Sequence, residues 1–146
     1  MDEEITVRVK ILSPDATLPT KAKPGDAAFD LYSMIDYTLS PSERLGVPIG
    51  ISLEIPDGYE GQVRPRSGLA LQQGITVLNS PGTIDSGYRG EIMCTLINLG
   101  EIPFKIKKGE RIAQLAIRPV PNVKLVEVDE LTDTERGAGG FGSTGM

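Results

Sequence analysis

The strongest constraint on this chain is an alternation of apolar and polar residues that recurs in short runs, each cut by glycine or proline. In "ITVRVKIL", Ile5, Val7, Val9 and Ile11 fall on one face and Thr6, Arg8 and Lys10 on the other. That two-residue period is the mark of a strand with one buried side. The same pattern predicts strands at "AFDLYS", "GISLEI", "EGQVRP", "ITVLNS", "EIMCTLIN", "IPFKIK", "RIAQLAI" and "KLVEVDEL". Between them lie the turn clusters "KPGD", "IPDGYEG", "SPGTIDSGYRG", "NLGEIP" and "KKGE", punctuated by 17 Gly and 11 Pro. One helix is expected, at "SGLALQQG", with Ser67 as N-cap and Gly74 just past its end. Short strands at this spacing imply an all-β sandwich or jelly roll. The 146 residues suffice for one domain, taken as residues 1–135, followed by a glycine-rich, mobile arm at 136–146.

Composition narrows the chemistry. The chain has no histidine, so imidazole acid–base catalysis is unavailable, and it has no Cys/His cluster to hold zinc or iron–sulfur. Its one cysteine, Cys94, excludes an internal disulfide and fits a reducing cytoplasm. A net charge of −5 with no basic block argues against nucleic acid as a partner. No apolar run approaches a membrane span, and Met1-Asp2-Glu3-Glu4 is too acidic for a leader peptide. Any hydrolysis must then rest on carboxylates, hydroxyls, amides, arginines and a hard cation.

Several segments could carry such chemistry, each with a plainer alternative. "SPGTIDSGYRGEI" reads as a β-hairpin turning at Asp85-Ser86-Gly87; it also sets the carboxylate of Asp85 beside Tyr88 on a rigid element, where backbone groups could read a flat base. "RPRSGLAL" reads as a strand end and a capped helical turn; the same geometry, with Arg66, Ser67 and the following amides, could hold an anion. Gln114 is a polar amide within "RIAQLAI", so it either satisfies local backbone or points into a wet site. Asp30, between Phe29 and Leu31, marks either a site or a buried ion pair. The ending "RGAGGFGSTG" is either a dispensable tail or an arm that orders on a ligand.

Taken together and in order, "PGDAAFDLYS", "PRSGLA", "GTIDSGYRGEI", "GERIAQL" and "RGAGGFGSTG" resemble the five motifs of the homotrimeric dUTP diphosphatases, the dUTPases, from about Lys23 to Gly145. The resemblance implies a distorted jelly roll of the β-clip kind and hydrolysis of dUTP to dUMP and diphosphate with Mg²⁺ on the triphosphate. It implies that Asp85 is the general base, that Gln114 orients the attacking water, and that Arg66, Ser67 and Gly68 contact phosphate. Asn79, the backbone of Thr83 and Ile84, and the main chain at Met93 would read uracil. Tyr88 would pack under the deoxyribose and exclude a 2′-hydroxyl. Asp30 would act indirectly, near the metal's water shell or at a subunit contact, so that no side chain ligates the metal directly. The arm would bring Arg136, Phe141, Gly142, Ser143 and Thr144 over the nucleotide. Ordering ten residues costs on the order of 1–2 kcal/mol each, whereas stacking one aromatic on a base returns about 1–3 kcal/mol. Phosphate contacts must therefore help Phe141 to close it. Family trimers build each of three sites from all three chains. The dCTP deaminases share the fold, but "TIDSGYRG" and the complete arm point to dUTP.

Overall fold

The structure is a computed structural model that describes residues 4–142. Among them, ten strands and one short helix form two four-stranded sheets and a small ribbon. One sheet runs β1 (Arg8–Ile11), β4 (Arg44–Glu54), β8 (Glu91–Asn98), β6 (Ile75–Val77); the other runs β2 (Phe29–Tyr32), β10 (Arg111–Pro119), β5 (Tyr59–Arg64), β7 (Gly82–Ile84). The ribbon pairs β3 (Tyr37–Leu39) with β9 (Phe104–Ile106), and every ladder is antiparallel. This is the expected all-β architecture.

β8 shows how the alternation becomes a core. Ile92, Cys94, Leu96 and Asn98 are buried, while Met93, Thr95 and Ile97 are more exposed. Burying each aliphatic side chain contributes about 1.5–3 kcal/mol. Asn98 is polar and wholly buried, yet satisfied: its amide donates to the carbonyls of Leu39 (3.0 Å) and Ile102 (2.9 Å), and its side-chain oxygen accepts from Gly100 N–H (2.9 Å). Burial pushes the Cys94 thiol up to about 12, so it stays neutral and unreactive.

Four expectations change. Helix α1 (Ser67–Gln73) is capped by Arg66, in extended backbone and without a side-chain cap bond; Ser67 is its first helical residue. The Arg66 carbonyl accepts the first intrahelical bond, from Ala70 N–H at 3.0 Å, which makes it the cap. Gly74 does end the helix, with φ 71 in the left-handed region. Second, β4 starts six residues before "GISLEI" and includes Pro48, which marks the place where the register with β8 slips. Third, β7 and β8 are not a hairpin: β7 pairs with β5 and β8 with β4 and β6, so the chain between them crosses from one sheet to the other. Buried Ile84 and Ile92 anchor the two ends of that crossing. Fourth, "KLVEVDEL" forms no strand. The last strand stops at Pro119, Val120 N–H donates to the Gly58 carbonyl at 2.8 Å, and residues 121–138 are exposed throughout.

Candidate active site

The first group of predicted site residues lies on the crossing between β7 and β8. Tyr88 N–H donates to the Asp85 carbonyl at 3.1 Å, which closes a turn and leaves the Asp85 side chain exposed at its tip. Asp85 borders a shallow cleft of about 380 Å³ with Tyr59, Glu60 and Ser86. Arg89 Nη1 donates to the carbonyls of Ser86 (2.7 Å) and Tyr88 (3.3 Å), fixing the turn from within. Thr83 is exposed and Ile84 buried, as their strand alternates. Asn79 is exposed, with its amide close to Gly82, where an added Cβ would stand 3.4 Å from Asn79 Nδ2. Met93 is exposed on β8, over Gly46.

A second group lies toward the other end of the sheet that carries β7. On β10, Gln114 is registered between Asp30 of β2 and Arg64 of β5. Its Nε2 donates to Asp30 Oδ1 at 3.4 Å, and Arg111 Nη1 lies 3.7 Å from Asp30 Oδ2. Asp30 is thus a buried carboxylate with both a charge partner and an amide donor. Arg66 Nη1 donates to the Arg111 carbonyl at 3.1 Å, while Ser67 and Gly68 are exposed at the start of α1. Two arginines, at 66 and 111, accordingly edge one end of the sheet beside the Asp30 carboxylate, a setting suited to an anion, whereas Arg64, opposite Gln114 in register, gives Nε and Nη2 to Gln62 Oε1 at 3.2 and 2.7 Å. Arg64 and Arg111 escaped the sequence reading. Their signal was register: Arg111 precedes Gln114 by three residues in one strand, and only the ladder places Arg64 opposite it.

The two groups do not meet within one chain. Ile84 pairs with Gly61, which puts Asp85 level with Glu60, whereas Gln114 pairs with Arg64. Four residues of β5 separate those levels, about 13 Å at a strand's rise per residue. The turn carrying Asp85 and the corner carrying Gln114 and Arg66 therefore point from opposite ends of β5.

The described part of the arm turns back on itself at its start. Arg136 Nε donates to the Gly139 carbonyl at 2.6 Å, and Phe141 is fully exposed with φ 52. Gly142 is also exposed, and Ser143 and Thr144 lie outside the described residues. No group of three or more His, Cys, Asp or Glu side chains among the described residues could hold a metal ion. Asp30, already engaged with Arg111 and Gln114, could approach a cation only through water. No helix among the described residues is long and apolar enough to cross a membrane.

Fold and site together define a jelly-roll protein with an exposed carboxylate on a sheet-to-sheet crossing and an arginine–serine–glycine corner at the opposite end. The family model for dUTPase matches residues 14–145, and the chain belongs to that family. It is 57% identical to a deoxyuridine 5′-triphosphate nucleotidohydrolase of Clostridium kluyveri, over 94% of this chain and 96% of that one. Among solved structures it is similar to the Staphylococcus bacteriophage 80alpha dUTPase with dUPNHPP: TM-score 0.86, 31% identity, 97% of this chain and 99% of that chain. A mutant dUTPase from phage phi11 of S. aureus, in which a structural Mg(II) ion is coordinated, aligns with TM-score 0.80 at 25% identity, over 86% of this chain and 97% of that one.

Proposed function

We infer that this chain hydrolyses dUTP to dUMP and diphosphate in the cytoplasm, keeping uracil out of DNA and supplying dUMP for thymidylate synthesis. The observation that carries the reading is the exposed Asp85 carboxylate on a braced turn, in a histidine-free chain of the dUTPase family. Asp85 accepts a proton from water as that water's oxygen bonds to the α-phosphorus; the bridging bond from the α-phosphorus breaks and diphosphate leaves. Gln114, held by Asp30, turns its amide toward that water, and Arg66 with the Ser67 and Gly68 end of α1 neutralises phosphate charge. Mg²⁺ would be held by the substrate's phosphate oxygens and by water, with Asp30 reaching it only through water, and would supply further charge neutralisation. Asn79, Thr83, Ile84 and Met93 read uracil, whose acceptor–donor–acceptor edge cytosine does not share. Tyr88 lies under the sugar.

The separation along β5 favours assembly. One chain supplies the Asp85 turn to one site and the Gln114–Arg66 corner to another, so each site is completed by a neighbouring copy, as in a homotrimer. Val123, Leu125, Val126, Val128 and Leu131, all exposed on the tail, add apolar surface that an isolated copy leaves in water. Residues 136–146 serve as an arm apart from the 1–135 body, bringing Arg136, Phe141, Gly142, Ser143 and Thr144 over the triphosphate.

The test is diphosphate-release turnover of dUTP beside dCTP, dTTP and UTP, read as phosphate after added inorganic pyrophosphatase, with Mg²⁺, for wild type and Asp85→Asn. Wild type should cleave dUTP, and the variant should lose about 10²- to 10⁴-fold in kcat while still binding nucleotide. Wild-type protein that binds dUTP and leaves it intact would instead be a nucleotide sensor.

A further inference from the structure

The crossing between β7 and β8 contains a glycine whose presence its backbone does not explain. Gly90 is not among the residues with positive φ, so its main chain would accept any side chain. The obstacle is steric and comes from one neighbour. A Cβ added at Gly90 would stand 2.4 Å from Tyr88 Oη, 2.6 Å from Cζ and 3.0 Å from Cε1, and these are its three nearest atoms. Carbon atoms in comfortable contact lie about 3.5–4.0 Å apart, so a methyl group and the ring cannot share this space.

Tyr88 lies across Gly90 and is held there at its far end. Its hydroxyl donates to the Glu91 carbonyl at 3.0 Å, past the glycine, while Arg89 ties the Tyr88 and Ser86 carbonyls together beneath it. The ring is otherwise open to water, at 47% exposure. No core packing fixes its pose; the missing Cβ and one hydrogen bond do.

We propose that Gly90 is a positioning residue for substrate choice: by leaving room for the Tyr88 ring, it holds that ring where it sorts deoxyribose from ribose. Gly90 sets the preference for dUTP over UTP without touching either nucleotide. The inference rests on the reading of Tyr88 as the platform under the sugar. A methyl at Gly90 pushes the ring toward solvent, breaks its bond to Glu91 and opens the space a 2′-hydroxyl would occupy. Because the displaced group is exposed, the fold tolerates the change and the selectivity does not.

The experiment is a two-by-two cycle of wild type, Gly90→Ala, Tyr88→Ala and the double variant. It reads kcat/KM for dUTP and for UTP, with melting temperature as the control for folding. Gly90→Ala is expected to lower the dUTP-to-UTP ratio about tenfold, within the range a pocket achieves against one added hydroxyl, with little change in melting temperature. In the Tyr88→Ala background, Gly90→Ala should alter the ratio no further. An unchanged ratio in Gly90→Ala, with the ratio reduced in Tyr88→Ala, would overturn the role of Gly90 alone. Equal, additive losses in both backgrounds would overturn it too, since Gly90 would then act without Tyr88. An unchanged ratio in Tyr88→Ala would remove the sugar-platform reading and this inference with it.

Discussion

The β7–β8 crossing and the C-terminal tail are made of similar residues and end in opposite conditions. Each combines glycines with one aromatic, hydroxyl side chains and an arginine. In the crossing, Arg89 binds two carbonyls of its own turn, Tyr88 reaches the Glu91 carbonyl, and buried Ile84 and Ile92 clamp both ends. In the tail, Arg136 also binds a nearby carbonyl, that of Gly139, yet Phe141 touches no core and Leu125 and Leu131 upstream are 92% and 86% exposed. Glycine content does not separate the two. What separates them is whether buried side chains on both flanks offset the entropy of ordering what lies between. The crossing is built in advance of its ligand, whereas the tail has to be completed by something else.

Removing residues 136–146 should expose that difference most sharply. Stacking and phosphate contacts vanish together, so kcat/KM for dUTP is expected to fall about a hundredfold or more with the fold intact; near-normal turnover would deny the arm a role. Phe141→Ala alone should cost about tenfold, from lost stacking. A paired comparison then separates burial within a chain from burial between chains. Ile84→Ala hollows the core at the root of the crossing and should cost about 2–5 kcal/mol in thermal or urea unfolding. Val126→Asp with Val128→Asp changes only exposed positions, so it should reduce the assembled mass in light scattering while leaving the secondary structure of each copy unchanged. A folded assembly of wild-type mass would show that the tail's apolar side faces nothing.

Much of the fold was legible because alternation and turn chemistry act locally. "EIMCTLIN" corresponds to β8 residue for residue, and Gly74 ends α1 in the left-handed conformation its position predicts. The misreadings share a cause, which is that pairing partners are not encoded in a single segment. Asp85-Ser86-Gly87 is good turn sequence, but the turn joins two sheets because β7 finds its hydrogen-bonding edge on β5. "KLVEVDEL" has the period of a strand and no edge to join among the described residues, so it stays exposed. Arg66, not Ser67, is the cap because its backbone stays extended while its carbonyl accepts the first intrahelical bond, and its side chain reaches the Arg111 carbonyl, 45 residues away. For the site, the order of the motifs supplied the chemistry, whereas register supplied what the motifs could not: Asp85 and Gln114 stand at opposite ends of β5.

That opposition is the centre of the account, and subunit mixing tests it directly. Asp85→Asn and Arg66→Ala, each inactive alone, are unfolded together at equal concentration, refolded and assayed on dUTP. If every site joins the turn of one copy to the corner of another, random assembly leaves about a quarter of sites with both groups intact, and about a quarter of wild-type turnover returns. Turnover no greater than that of the two variants assayed separately would place both groups in one chain's site and contradict the account.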